Sequence, residues 1–381
     1  MEVINFLNYN NVSAFDDVKM LLNQNDIIVK EDGNLYLVYY KRDENSLNTL
    51  NPLQRSCNGV IFEKDTNKLV CNCYGKFFKM DNDLNENFKT NFNDLVFENC
   101  IEGTLLRVYY YNGSFRVATK KCIDANKSKW GSEKSFGELF KEGINATHFK
   151  NYQFEANKVY FFILKHPENN MVFYNTNISL DLIDIFKISE NQEYLEKEGV
   201  DVCDNKLNQL QTYYELKEYM NNMNIVNMKH QGLVVYNMHN PEIKQRMIFS
   251  LYNKAHSLIN NEPSIYERFL KMRTNKELLK EYFTYFPQHE KDFHKMETNF
   301  CKFIDDVHRL YLDTRVFKKD IVIQKNFRKL IYDLHGLYLK NKKPLMRQQV
   351  MDYIITLNSR LFKFLYNNYK EHGLIEENDL I

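Results

Sequence analysis

The spacing of apolar positions changes twice along the chain. Within residues 1–30, Phe6, Leu7, Val18, Leu21 and Leu22 fall at helical spacings, which predicts two helices with Ser13 capping the second. From about 34 to 120 the period shortens towards two, the alternation of strands half-buried against a core. NLYLVYY (34–40), GVIFEK (59–64), KLVCNC (68–73), TLLRVYYY (104–111) and SFRVATK (114–120) read as strands, with turns at DTNK (65–68) and Asn112–Gly113. The last two strands flank the Asn-Gly pair and predict a hairpin. A helix fits 128–142. KVYFFIL (158–164), NMVFYN (170–175) and LDLIDIF (180–186) read as strands, 206–222 as a helix, and GLVVYN (232–237) and RMIFSL (246–251) as strands. Beyond about 262 the period is helical to the end, where Gly373 stops a last helix that includes 365–372. The expected architecture is an α+β domain over 1–260 followed by an all-helical domain over 261–381.

Composition narrows this only a little. A chain of 381 residues suggests two domains or three. With 44% hydrophobic and 27% charged residues it can bury a sizeable core. A formal net charge of +1 provides no global basic field, so nucleic-acid binding would need a local patch. The seven cysteines make no even framework, and Cys71 and Cys73 are too close for a zinc-finger pair. They read as reduced thiols of an intracellular, cytoplasmic protein. The first residues carry acids and asparagines where a signal peptide needs basic and then apolar ones. No run of 18 apolar residues occurs, so no membrane partner is expected. None of this specifies a chemistry.

Four segments, QRSCNGVIFEKDTNKLVCNCYGKFFKMDND (54–83), CIEGTLLRVYYYNGSFRVATKKCIDA (100–125), VYFFILKHPENNMVFYN (159–175) and QGLVVYN (231–237) with QRMIFSLYNKAH (245–256), resemble in this order the motifs of the T4 RNA ligase 1-like family, within the covalent nucleotidyltransferase superfamily. QRSCNGVIFEKDTNKLVCNCYGKFFKMDND (54–83) is similar to an Arg-Gly-x-Ile/Val-Phe strand, a hairpin and Lys-Phe-Phe-Asn: Gly59, Val60, Ile61, Phe62, Lys76, Phe77 and Phe78 match, and Asn58 replaces the arginine. CIEGTLLRVYYYNGSFRVATKKCIDA (100–125) is similar to the Lys-x-Asp-Gly nucleophile motif and the strand after its hairpin. There Glu102, Gly103 and Lys120 fit, Cys100 replaces the lysine and Lys121 a glycine. In VYFFILKHPENNMVFYN (159–175), Ile163 replaces a glutamate and Asn170 an arginine. In QGLVVYN (231–237) and QRMIFSLYNKAH (245–256), Gln231 replaces a glutamate, while Arg246 and Ile248 occupy two lysine positions. The helical tail is similar to the C-terminal domains of these ligases.

The resemblance implies two antiparallel sheets of a nucleotidyltransferase (ATP-grasp-like ligase) domain, with Cys100 at the edge of the cleft between them. It implies a reaction in which a lysine amine attacks ATP to form a covalent lysyl-AMP, with Mg²⁺ and basic groups neutralising the phosphates. A cysteine is several bonds shorter than lysine and loses the in-line geometry; it also fits a small, buried strand residue. Isoleucine at 163 offers magnesium no oxygen. Gln231 keeps an acceptor without charge, and Ile248 removes a cation. Catalytic residues are therefore expected to be absent, and no cofactor or metal is expected; ATP and Mg²⁺ would be needed only by an active enzyme.

What remains is a set of candidates for nucleotide or RNA binding: Lys76, Glu102, Gly103, Lys120, Lys121 and Arg246. Glu102 suits a ribose hydroxyl or a strand end, and the lysines suit a phosphate-lined groove or a solvated surface. The run 118–130 adds Lys127, Lys129 and Trp130, a mixture that suits a backbone and a stacked base, though Trp130 equally suits a core. KNKKP (340–344) with Arg347 is a basic turn. The leading expectation is a catalytically inactive ligase-like protein that binds RNA or a nucleotide, or a protein complex. The rivals are an active RNA ligase using a relocated lysine, Lys120 or Lys121, and a structural or assembly protein of a large DNA virus, in the host cytoplasm or virion.

Overall fold

The computed structural model describes residues 2–40, 50–77, 83–89, 92–189, 195–197, 207, 210–223, 230–357 and 359–375. They form two compact units, Met1–Pro263 and Ser264–Ile381.

In the first unit thirteen strands are described: β1 (Ile27–Asp32), β2 (Leu35–Tyr40), β3 (Asn58–Glu63), β4 (Leu69–Cys71), β5 (Lys76–Phe77), β6 (Leu95–Cys100), β7 (Thr104–Tyr111), β8 (Ser114–Thr119), β9 (Lys158–Lys165), β10 (Ser179–Ile188), β11 (Leu195–Lys197), β12 (Gly232–Asn237) and β13 (Asn240–Ile248). They fall into three sheets rather than the expected two, in orders β1-β2-β3-β4, β11-β10-β9-β7-β8 and β5-β13-β12-β6. All pairings are antiparallel except β13 with β5. The first of these sheets is separate because β2, β3 and β4 pair among themselves, and it gains an outer strand where residues 27–32, expected as helix, pair with β2.

The helices Glu2–Tyr9 and Phe15–Gln24 bury Val3, Leu7, Val18 and Leu22 in one core with Tyr36, Phe62, Tyr109 and Phe161, which joins the first sheet to the second. Ser13 does not cap the second of these helices; Ala14 stands at the cap without a side-chain bond. The five-stranded sheet carries on its other face the helix Phe136–Ala146, whose Leu139 and Phe140 pack with Phe149, Tyr160 and Phe162. That helix begins eight residues later than its period suggests. Ser135 accepts from the Glu138 amide and Glu138 reaches back to Ser135, a capping box that sets the start. The third sheet buries Leu233, Val235 and Met247 with the helices Tyr213–Asn222 and Ser250–Ile259. The helix expected over 206–222 starts at Tyr213, where Thr212 caps it in a capping box; residues 206, 208 and 209 lie outside the described residues.

Two strand expectations change. Residues 246–251 divide between the end of β13 and the helix from Ser250. Residues 170–175 form no strand, because the amides of Val172 and Phe173 donate to the Glu102 carboxylate instead of a ladder. The Asn112–Gly113 hairpin forms as expected, with Tyr111 opposite Ser114.

The second unit is helical: Ile265–Met272, Lys276–Tyr285, Glu290–Tyr311, Arg328–Asn341, Arg347–Thr356 and Ser359–His372. Gly373 ends the last helix at φ 71°, its amide bonded to the Tyr369 carbonyl. Among the described residues, no helix is long and apolar enough to cross a membrane, and six cysteines are free thiols.

Candidate functional site

Three strands bring the substituted positions together. β6 ends at Cys100 opposite Gly232, and Gly232 lies opposite Ile248. Cys100 and Ile248 are buried in the same core as Leu233, Phe249 and Tyr252. Gln231 closes the row: its amide N–H donates to the Cys100 carbonyl at 2.8 Å, its side-chain Nε2 to the Ile101 carbonyl at 2.9 Å, and its carbonyl accepts from Phe249 at 3.0 Å. Ile163 meets the same stretch from β9. At Gly103 a Cβ would stand 2.5 Å from Ile163 Cγ2 and 2.6 Å from the Leu164 carbonyl oxygen, so only glycine allows this approach. Asn58 Nδ2 donates to the Gly75 carbonyl at 3.1 Å, while its Oδ1 is buried with no partner among the described residues.

Glu102 points into this interior and is 4% exposed. Its oxygens accept from the Val172 amide at 3.2 Å and the Phe173 amide at 3.0 Å, and it is hydrogen-bonded to Tyr252. Burial pushes its carboxyl above the usual carboxylate range against the pull of those donors, and burial raises Tyr252 further still. Burial likewise raises the Cys100 thiol, with nearby Arg246 acting in the opposite direction. A thiol raised in this way is a poor nucleophile.

The remaining cations separate into two groups. Arg246 lies within electrostatic range of Cys100, Tyr252 and Tyr74. Lys120 and Lys121 stand at the end of β8 beside β2. Lys120 Nζ sits 5.2 Å from the Tyr40 ring centroid; Lys121 Nζ is 5.7 Å and Lys30 Nζ 5.4 Å from that of Tyr39. Lys30 also donates to the Lys121 carbonyl at 3.1 Å. Lys30 and Lys121 are exposed. Lys76 pairs with Ile243 through its backbone; its side chain lies outside the described residues. In the 118–130 run, Lys127 pairs with Asp32 at 2.7 Å and Lys129 donates to the Glu133 carbonyl. Arg347 of the basic turn pairs with Asp305.

Two residues that sequence reading missed build this region. Arg107, 1% exposed, donates to the carbonyls of Gly59, Asn72 at 2.9 Å and Thr119 at 2.6 Å. It rivets β3 to the end of β8, so that a Cβ on Gly59 would stand 2.5 Å from the Lys120 carbonyl oxygen. The signal was present: an arginine in the apolar run TLLRVYYY must either break the strand or find buried acceptors. Lys244 is fully buried with Asp184, Nζ to Oδ2 3.1 Å, beneath the Tyr74 ring at 3.9 Å. Tyr236 donates to Glu98 nearby at 2.5 Å.

One group among the described residues could hold a metal: Glu142, His166 and Glu168. Lys134 already bridges the two carboxylates at 2.8 and 2.7 Å. His166 Nδ1 accepts from the Glu168 amide at 3.2 Å, which leaves the ring proton on Nε2, facing Glu142 at 3.1 Å. A protonated Nε2 cannot ligate, so the donor set serves as a hydrogen-bonded hub.

No protein-family model matches the chain. Over 52 residues it is 48% identical to the immediate-early protein ICP-46 homolog of Invertebrate iridescent virus 6, covering 14% of this chain and 12% of that protein. Over 278 residues it is 23% identical to the immediate-early protein ICP-46 homolog of Invertebrate iridescent virus 3, covering 68% of this chain. The matches span 12% and 60% of these relatives' own lengths. Among solved structures, an archaeal ATP-dependent RNA ligase aligns at TM-score 0.40 and 10% identity, over 94% of this chain and 99% of its own. A putative ATP-dependent DNA ligase from Aquifex aeolicus aligns at TM-score 0.36 and 13% identity, over 81% and 82%. The chain is thus similar in sequence to iridescent-virus immediate-early proteins and, only distantly, in backbone to ATP-dependent ligases.

Proposed function

We propose that this protein is a catalytically inactive, ligase-like RNA-binding protein, and that the cluster of Lys30, Lys120 and Lys121 over Tyr39 and Tyr40 contacts the phosphate backbone. The observation that carries the reading is this convergence of ammonium groups on two adjacent rings. Like charges brought together at a surface favour a polyanion, and cations interleaved with aromatics suit single-stranded nucleic acid. Inactivity is supported by the interior: Cys100, Ile163 and Ile248 are all under a tenth exposed, and Gln231 spends its amide on the Ile101 carbonyl. The name of the iridescent-virus relatives suggests, as part of the same proposal, a viral protein acting at the start of infection in the host cytoplasm.

Two measurements test this. Incubation with labelled ATP and Mg²⁺ followed by a denaturing gel should show no covalent AMP; a labelled band would establish an active enzyme. Affinity for a short single-stranded RNA, measured at several salt concentrations, should fall with a log–log slope of about −2 if three lysines each meet one phosphate, at roughly 0.7 per contact. The triple charge reversal Lys30→Glu, Lys120→Glu, Lys121→Glu should abolish binding. No binding by the wild type at low salt, or an unchanged slope in the variant, would leave the protein-assembly reading as the better one.

A further inference from the structure

The five-stranded sheet ends in an open edge at β8. The Asn112–Gly113 turn has φ 48° and 80°, a two-residue hairpin turn that closes with Tyr111 and Ser114 bonded to each other. Bonded and non-bonded pairs alternate from there. Ser114, Arg116 and Ala118 therefore turn their backbone groups to β7, while Phe115, Val117 and Thr119 turn theirs outward. Thr119 bears out the phase, since its amide donates to the Cys122 carbonyl at 2.9 Å. The N–H and C=O of Phe115 and Val117 meet no partner among the described residues. The edge at β1 is different: Glu31 pairs with Lys19 and Lys64 at 2.6 and 2.7 Å, and Asp32 with Lys127 at 2.7 Å. Charges of this kind along an edge discourage further pairing. On β8, Phe115 is 41% exposed and packs on Tyr110 and Phe154, with ring centroids 5.2 and 5.6 Å away. On the other face Arg116 lies over the Tyr111 ring at 5.0 Å and has no ion pair among the described residues. Glu63, which bonds the Tyr111 hydroxyl at 3.0 Å and Thr66 at 2.7 Å, has both carboxylate oxygens engaged elsewhere.

We propose that the β8 edge is a docking site for an extended segment of a partner protein that carries an acidic residue between two apolar ones. The segment adds to the sheet as an antiparallel strand through the open N–H and C=O groups of Phe115 and Val117. Its two apolar residues stand opposite Phe115 and Val117, on the face that holds Tyr110 and Phe154. Its acid stands opposite Arg116 in a non-bonded pair, where facing side chains come closest. A second copy of this chain fits worse. The antiparallel register that uses both residues of each edge sets Arg116 opposite Arg116, and like charges so placed repel.

Fluorescence polarisation on the full chain tests this with a labelled, end-blocked peptide, Lys-Thr-Val-Glu-Val-Thr-Lys. It should bind saturably. Lysine in place of its glutamate should weaken binding by about fivefold or more, as an attractive cross-strand pair becomes a repulsive one. Methylating the two valine amides, which removes the donors that face the edge, should abolish it. Val117→Pro removes an outward N–H without touching the ladder to β7, and should also abolish binding; circular dichroism checks that it folds. Should it not, Arg116→Glu carries the same test through charge exchange and should prefer the lysine peptide. No saturable binding, equal binding of the methylated peptide, or an unchanged preference in Arg116→Glu would overturn the proposal. Dimerisation of the wild type in sedimentation that Val117→Pro reverses would overturn it too, by making a second copy the occupant.

Discussion

Glu102 shows how one side chain can settle a stretch of backbone seventy residues away. Its two oxygens take the amides of Val172 and Phe173, and Tyr252 joins them. The substitution Glu102→Gln keeps the shape but turns an –NH₂ towards amide donors. It should cost about 1–3 kcal/mol, the penalty of a buried donor left unmet, read by urea unfolding. The carboxyl is raised on folding, so its contribution is complete below the usual carboxylate value of 4.5 and is lost as pH rises through the folded value. Glu102→Gln should therefore flatten that part of the pH–stability curve; an unchanged curve would show that the carboxyl is not raised. The resemblance marked Glu102 by its motif position, but its partners in 171–173 lie across a turn that alternation had read as a strand.

At the scale of elements, the Lys244–Asp184 pair joins β13 of one sheet to β10 of another with both side chains fully buried. Such a pair contributes little net stability, because removing two charges from water costs about as much as their attraction returns. Removing one partner is different, since it strands the other charge. Asp184→Ala should cost about 3–5 kcal/mol, whereas the double change Asp184→Leu with Lys244→Met should come close to neutral. Equal destabilisation by the single and double variants would mean that the pair does not act as a unit. The alternation of β13 places Lys244, Arg246 and Ile248 on one face, of which the sequence reading, with its strand beginning at 246, held only Arg246 and Ile248. The partner sixty positions away was not, because no local period encodes which strand of another sheet lies opposite.

Over the whole molecule, acid should weaken the helical unit in a definite window. Burial, with Arg268 second, lowers His289 to about 4 from 6.5, and the ring meets the Tyr282 hydroxyl at 2.7 Å. A histidine whose folded value is depressed contributes stability that is present above 6.5 and lost as pH falls towards 4. The loss should be on the order of 3 kcal/mol. Helical signal followed in urea at pH 7.5 and pH 4.5 should show it, and His289→Phe should remove most of the difference. At the same scale, a net charge of +1 leaves the cluster of exposed Lys30 and Lys121 with half-buried Lys120 as a local field rather than part of a global one.

Local periodicity determined most of the elements. The hairpin over 104–119, β2, β3, β9, β10 and β12, and the mainly helical nature of the described residues beyond 263 follow from apolar spacing and turn chemistry, both of which act within a few residues. Ordered motifs likewise marked Cys100, Gln231 and Ile248, which the strands align in one row. Tertiary structure alone decided the rest: that β2, β3 and β4 make a separate sheet with β1 at its edge, that Arg107 pins Gly59 against Lys120, that Lys244 finds Asp184, and that Arg273 is stacked on Phe300 with its Nε unmet among the described residues. Each of these depends on a buried polar group meeting a partner, or finding none, far along the chain. Desolvation makes such meetings decisive, and apolar spacing carries no record of them.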